Sequence, residues 1–356
     1  MELRVEKAKE LKERPQDESK LGFGKIFSDH MFIMQYDKGE GWHDARIQPY
    51  GNISLSPAAK VLHYSQEAFE GTKAYIDVNG KTRLFRPEKN FERMNNTADR
   101  LCMPRIDVDF VLKSLEKLIE IDKDWVPKSK GTSLYIRPTL IGVDPYLGVE
   151  ASHSYLFYII TGPVGAYYES GLAPVKIYVE DKYVRAVKGG TGAAKTGGNY
   201  AASLIASEYA HGKGFEQALW LDGRENKYIE EVGSMNIMFV IDGVIVTPPL
   251  GGSILPGITR DSIITLAKHK GYKVEERKIS IDEVISTIKD GSMSEAFGTG
   301  TAAVISPVGD LAYGGEVYEI GNGQMGKISH EMYNTLTGIQ YGEIEDEFGW
   351  TRVLDF

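Results

Sequence analysis

One lysine keeps unusual company. Lys195 lies in Lys188–Tyr200, KGGTGAAKTGGNY, with glycines at 189, 190, 192, 197 and 198. Two chemistries suit a lysine in such a run. In the first, Gly189–Thr196 (GGTGAAKT) is a phosphate-cradling loop of the form G-x-x-x-x-G-K-[ST], and Ala218–Asp222 (ALWLD) is the acidic strand end that holds magnesium. The match fails at Ala194, where the motif needs glycine to wrap a phosphate. In the second, Lys195 is an amine nucleophile. A lysine forms a Schiff base with a carbonyl when it is held rigidly and its ammonium pKa is lowered. The flanking glycines leave room for a flat ligand, and Tyr200 follows near a helix start that Asn199 could cap. The carbonyl partner would then be pyridoxal phosphate.

That cofactor needs a carboxylate beside its ring nitrogen and donors for its phosphate. Glu231, in EEVGSMN, is a candidate carboxylate. Leu255–Arg260 (LPGITR) sets Gly257 before a helix whose first amides belong to Ile258 and Thr259, and a helix N-terminus binds anions. Phe297–Ala302, in SEAFGTGTAA, reads as a turn with free amides and the Thr301 hydroxyl. Arg93 could grip a phosphate with two N–H groups. Taken singly, these are an exposed charge, a threonine cap, a plain turn and a solvated helical arginine. Together they supply every part of such a site.

Those residues need elements to hold them. Strand-like runs cover Lys25–Tyr36 and Val61–Tyr64 after a solvated, frayed lead-in over 1–20. Ala74–Asp77 and Thr82–Phe85 read as a hairpin around Asn79-Gly80. Asn90–Leu101 has helical spacing, with Phe91, Met94 and Leu101 on one face, and Val108–Ile121 is a clearer amphipathic helix. Leu134–Ile141 and Tyr155–Ile160 are apolar and of strand length. A Gly/Pro-rich stretch, Gly162–Pro174, marks a domain boundary. This divides the chain into 1–168, a linker over 169–175, and 176–356. Strands are then expected at Val175–Val179 and Ala218–Leu221 and helices from about Ala201, at Ile258–Lys270 and at Ile281–Asp290. A second hairpin is expected at Ile237–Thr247, around Asp242-Gly243.

Bulk composition excludes other classes. The 356 residues are 42% hydrophobic and 26% charged, which is globular composition. Forty-one basic against 50 acidic residues give −9, the wrong field for nucleic acid or an anionic membrane surface. Cys102 is the single cysteine, so no intrachain disulfide or cysteine-rich zinc site forms. The seven histidines show no metal-ligand spacing, so no metal is expected. No secretory signal or membrane-length apolar run is present, which points to the cytoplasm.

The combination of segments resembles the branched-chain amino acid aminotransferases, fold-type-IV pyridoxal phosphate enzymes. The matching stretches are FGKIFSDHM, LHYSQEAFEGTKAY, RLFRPEKNFERM, YIRPTLIG, GPVGAYY, KGGTGAAKTGGNYAASL, EEVGSMN, VTPPLGGSILPGITRDS and GTGTAAVISPVG, spanning Phe23 to Gly309. The resemblance implies a small open α/β domain and a larger pseudo-barrel α/β domain. It implies that Lys195 is the Schiff-base lysine, that Tyr200 bonds the cofactor's phenolic oxygen and that Glu231 partners its ring nitrogen. Arg93, Ser234, the Ile258 and Thr259 amides and Thr301 take the phosphate side. Tyr64, with the Thr301 and Ala302 amides, receives the substrate's α-carboxylate. Phe23, Phe69, Tyr135 and Tyr167 wall the side-chain pocket, and Arg137 receives glutamate's second carboxylate. The loop near Val149 reaches a neighbouring subunit, which implies a homodimer. The implied reaction transfers the amino group of L-leucine, L-isoleucine or L-valine to 2-oxoglutarate, giving L-glutamate. D-amino acid aminotransferases and aminodeoxychorismate lyases share the fold type; YIRPTLIG and GGNYAASL favour the branched-chain family. Some members carry a redox Cys-x-x-Cys where this chain has Ala303 and Ser306, and Met238 stands where Phe or Tyr is preferred.

Overall fold

The computed structural model describes residues 1–165 and 172–356. Tyr167, expected in the pocket wall, and the 168 boundary lie outside the described residues. The chain forms two compact units, and both are discontinuous in sequence. One contains Met1–Glu169, Ala194–Gly197 and Gly338–Phe356; the other contains Ser170–Ala193 and Gly198–Thr337.

The first unit carries β1 (Arg4–Val5), β2 (His30–Asp37), β3 (Gly41–Pro49), α1 (Lys60–Tyr64), β4 (Glu67–Phe69), β5 (Thr72–Ile76), β6 (Thr82–Phe85), α2 (Pro87–Arg100), α3 (Val108–Ile121), β7 (Ser133–Gly142) and β8 (Ser154–Val164). Its open sheet runs β1-β3-β2-β8-β7-β5-β6 and ends on the C-terminal strand, Thr351–Leu354, with β4 on β7. That last pairing, Leu354 with Thr82 and Thr351 with Phe85, draws the chain's end into this unit.

α2 and α3 lie on one face of this sheet. Phe91, Met94 and Ala98 of α2 and Val111, Leu112, Leu115, Leu118 and Ile119 of α3 are buried in one core with Phe32, Leu84, Ile136 and Phe157. Burying a side chain such as Phe91 or Met94 contributes about 1.5–3 kcal/mol. Asp107 caps α3 by accepting the Phe110 N–H. The β5–β6 hairpin forms as expected, with Gly80 at φ 77 and Asp77 accepting the Asn79 and Lys81 amides.

Two expectations for this unit need correction. Val61–Tyr64 is helical, not strand-like; five residues carry too little pattern to separate the two, and Ser65 ends the turn at φ 50. The lead-in is tied down rather than frayed. β1 pairs β3, the Ala8 N–H donates to His30 Nε2 at 2.9 Å, and the Lys12 N–H donates to Asp29 at 2.8 Å. These partners sit 17 to 42 residues away, so local polarity does not reveal them.

The second unit carries β9 (Val175–Glu180), α4 (Gly197–Gly212), β10 (Gln217–Leu221), β11 (Ile229–Val232), β12 (Met235–Ile241), β13 (Val244–Thr247), α5 (Ile258–His269), β14 (Val274–Glu276), α6 (Ile281–Lys289), β15 (Met293–Gly300), β16 (Val304–Tyr313), β17 (Glu316–Glu319) and most of α7 (Lys327–Gln340); Gly197 at the start of α4 and the end of α7 from Gly338 are counted in the first unit, and the C-terminal strand is β18. The sheet order is β11-β10-β9-β16-β15-β12, and β12 pairs back onto β11. This closes a six-stranded ring, the expected pseudo-barrel. The β12–β13 turn has Asp242 at φ 49 and Gly243 at φ 75, as a tight hairpin requires. α4 begins at Gly197, so Asn199 is inside the helix and does not cap it. Asn199 instead accepts from the Thr191 hydroxyl at 2.7 Å and donates to the Thr191 carbonyl at 2.8 Å. No helix among the described residues is long and apolar enough to cross a membrane.

Candidate active site

Lys195 is held by its backbone before its side chain is considered. Its N–H donates to Thr97 Oγ1 at 2.9 Å, from α2. Its carbonyl accepts the Phe69 N–H at 3.1 Å, from β4. Two residues on, the Gly197 N–H donates to Glu67 Oε2 at 2.6 Å. These bonds explain why Ala194–Gly197 belongs to the first unit.

The Lys195 ammonium lies 4.6 Å from the centre of the Phe69 ring. The Arg137 guanidinium lies 5.0 Å from the same ring and 5.3 Å from that of Tyr135. Such contacts contribute about 0.5–2 kcal/mol. Arg137 also donates to the Tyr135 hydroxyl at 3.1 Å. Phe23 meets Tyr135 edge-on at 4.9 Å, so the first unit brings four expected pocket residues together. Gly71 makes this possible: a Cβ there would lie 2.2 Å from the Tyr135 hydroxyl.

Burial first, and the Arg93 guanidinium second, lower the Lys195 ammonium to about 8. That leaves far more free amine near neutrality than an ordinary lysine has. Burial lowers Lys73 to about 8 as well, so the shift alone does not single out a nucleophile. Lys195 is distinguished by its three backbone anchors and the cationic and aromatic groups around it.

Arg93 is buried, and its partner is Glu70. Arg93 Nε and Nη2 donate to the two Glu70 oxygens at 2.7 and 2.9 Å. Asn90 also donates to Glu70, at 2.8 Å. This forked pair orients the guanidinium rigidly. Tyr64 lies on α1, where its hydroxyl donates to the Leu147 carbonyl. Val149 is 87% exposed.

The second unit assembles a carboxylate and a helix end. Glu231, buried on β11, accepts the Leu255 N–H at 2.8 Å and an Asn236 N–H at 3.3 Å. Arg185 Nε lies 3.0 Å from its other oxygen. These contacts hold the carboxylate in one orientation. Asn236 also donates to the Leu255 carbonyl at 3.0 Å, fixing the segment that leads into α5. Gly257 is required there: a Cβ would meet Asn236 Oδ1 at 2.0 Å. No side chain caps the α5 N-terminus, so the Ile258 and Thr259 amides keep the partial positive charge of a helix start.

Thr301 and Ala302 occupy the turn between β15 and β16; Phe297–Gly300 is strand rather than turn. Val304 follows at φ 62, a left-handed conformation that is an outlier for a β-branched residue and one that functional sites tolerate. Ser234 lies in the β11–β12 turn, and Tyr200 lies in the first turn of α4. The first unit supplies an amine of lowered pKa and a rigid arginine, and the second a fixed buried carboxylate and a helix start without a side-chain cap; each has the chemistry that one part of pyridoxal phosphate calls for.

Sequence reasoning missed Glu67, Glu70, Thr97, Arg185 and Asn236. Glu67 and Glu70 stand in EAFEG, but their roles depend on which strand and helix they face. Asp37, Glu40 and His43 also bring donor atoms within 4.8 Å of one another. Asp37 is bonded to His43 at 2.9 Å and to Ser154, which accounts for the cluster without an ion.

Residues 67–311 match the family model for class IV amino-transferases. The chain is 59% identical over 349 residues to branched-chain-amino-acid aminotransferase 2 of Bacillus subtilis, covering 98% of this chain and 96% of that one. The chain belongs to the class IV aminotransferases, in their branched-chain amino acid family. Branched-chain-amino-acid transaminase 1 of Bacillus subtilis is 54% identical over 347 residues, covering 97% of each chain. The solved branched-chain amino acid aminotransferase of Escherichia coli superposes with a TM-score of 0.78 at 29% identity, over 92% of this chain and 99% of that one. A further branched-chain amino acid aminotransferase, that of T.th., solved with pyridoxamine 5'-phosphate, has a TM-score of 0.75 at 26% identity, over 91% and 98%. Class IV aminotransferase membership sets the P-loop reading aside.

Proposed function

We propose that this aminotransferase carries pyridoxal phosphate on Lys195 and moves the amino group of L-leucine, L-isoleucine or L-valine to 2-oxoglutarate. The setting of Lys195 carries this reading: three backbone anchors and an ammonium lowered to about 8. The names of the relatives support the substrates.

Bound pyridoxal phosphate supplies an aldehyde and a ring that accepts electron density. Lys195 Nζ takes the proton from the substrate Cα and gives it back, as base and then acid. Glu231 would keep the proton on the ring nitrogen, and Tyr200 would donate to the phenolic oxygen. Arg93, Ser234, Thr301 and the Ile258 and Thr259 amides would hold the phosphate. Tyr64, with the Thr301 and Ala302 amides, orients the α-carboxylate. Phe23, Phe69 and Tyr135 exclude water from the aliphatic side chain, and Arg137 receives the distal carboxylate of the dicarboxylate substrate. Each methylene discriminates by only about 1–3 kcal/mol, so the three branched substrates overlap.

The test is an absorption spectrum of the purified protein, before and after L-leucine. The expected result is a cofactor band that leucine shifts and 2-oxoglutarate restores. A spectrum that only D-alanine moves would instead indicate a D-amino acid enzyme.

We also infer a homodimer. Tyr146 and Leu147 are more than half exposed beside the almost fully exposed Val149, and this apolar loop suits burial against a second copy. Light scattering should return twice the 39.5 kDa chain mass, and a monomer would refute the assembly.

A further inference from the structure

We propose that Glu67 is the specificity-determining carboxylate of this pocket, competing with the distal carboxylate of a dicarboxylate substrate for Arg137. This rests on the role assigned to Arg137 above. The argument starts from register. β4 pairs β7 with Glu67 opposite Ile141 and Phe69 opposite Thr139. Directly paired residues share a sheet face, and so do alternate residues along a strand. Glu67 and Phe69 therefore share their face with Tyr135, Arg137, Thr139 and Ile141.

The seat of Glu67 is built. Its Oε2 accepts the Gly197 N–H at 2.6 Å, and a Cβ on Gly197 would meet that oxygen at 2.7 Å. The carboxylate thus steadies the Lys195 segment while its charge faces the substrate-binding cations. The charged and titratable groups that face it are Arg137 on β7, Tyr158 on β8 and Lys195 on the returning segment. Arg93 on α2 is neutralised by Glu70.

Burial raises the Glu67 carboxyl above its ordinary range; the Gly197 N–H, Arg137 and Lys195 oppose this. A second carboxylate arriving at Arg137 adds negative charge beside Glu67 and raises it further. The dicarboxylate is therefore bound with uptake of a proton. A branched aliphatic 2-oxo acid, lacking that charge, takes up none. Raising the pH ionises Glu67 and weakens dicarboxylate binding selectively.

The test uses holoenzyme and Glu67→Gln, whose amide oxygen still accepts from Gly197. The KM for 2-oxoglutarate, relative to that for 4-methyl-2-oxopentanoate, should rise with pH in the parent enzyme. In Glu67→Gln this ratio should fall about ten-fold, the scale on which one neighbouring like charge acts, and lose its pH slope. Calorimetry in two buffers of different ionisation enthalpy should show proton uptake with 2-oxoglutarate only, abolished in the variant. In an Arg137→Gln background, adding Glu67→Gln should change the ratio by less than about two-fold, as coupled sites require. Retained pH slope and proton uptake in Glu67→Gln, or equal KM changes for both substrates, would overturn the assignment. Borohydride labelling of Lys195 in the same preparations reports separately on the parent reading. Label present with an unchanged ratio removes the Glu67 role alone; label absent removes the cofactor reading, and the Glu67 role with it.

Discussion

Replacing Lys195 by alanine is expected to abolish transamination and the borohydride label together. The variant loses the nucleophile and also the base that moves the Cα proton; the proton transfer alone accounts for about 10²–10⁴-fold in rate. The fold should survive, because the anchors are backbone groups. The Lys195 N–H to Thr97 and the Lys195 carbonyl to Phe69 do not need the side chain. Alanine also removes an ammonium whose burial opposes its charge. The variant should therefore melt no lower than the parent by calorimetry. Stopped turnover with an intact melt isolates the chemical role, whereas residual turnover within about ten-fold of the parent would refute it. An alanine variant that is simply unfolded would show instead that this segment is structural.

Replacing Glu231 by glutamine is expected to lower kcat by about 10²-fold or more, the scale of losing a preorganised electrostatic partner, with the cofactor still bound. Glutamine keeps an acceptor for the Leu255 N–H but gives up the charge that faces Arg185. The Arg185 side chain is only 8% exposed, so the substitution also breaks a largely buried ion pair, which destabilises a protein by up to about 3–5 kcal/mol, with Glu230 remaining as a neighbouring charge. Rate and melting temperature should both fall. The electronic role is checked by the pH dependence of the cofactor band, which a purely structural effect would not move. A kcat within about two-fold of the parent would contradict the role given to Glu231.

Much of the candidate site is legible because its chemistry is written in short runs. KGGTGAAKTGGNY, LPGITR and EEVGSMN each keep a candidate reactive or binding group within a few residues of glycines. The hairpins at Asn79-Gly80 and Asp242-Gly243 are legible for the same reason, since a tight turn depends on two residues. Val61–Tyr64 misleads because so short an element is decided by its neighbours. Asn199 misleads because Thr191, in the loop that precedes α4, bonds it.

Lys195, Glu231 and the Gly257 helix start are thus available from residue order alone, as is the class of chemistry they suit. The partners of those residues are not. Glu70 meets Arg93 across 23 positions, Thr97 meets Lys195 across 98, and Glu67 meets Gly197 across 130. Such pairings follow from strand register and from segments that return to a sheet from far along the chain, and no local pattern encodes them. The tertiary structure decided which carboxylates neutralise a cation and which face one, because that depends on distance and burial rather than on spacing along the chain.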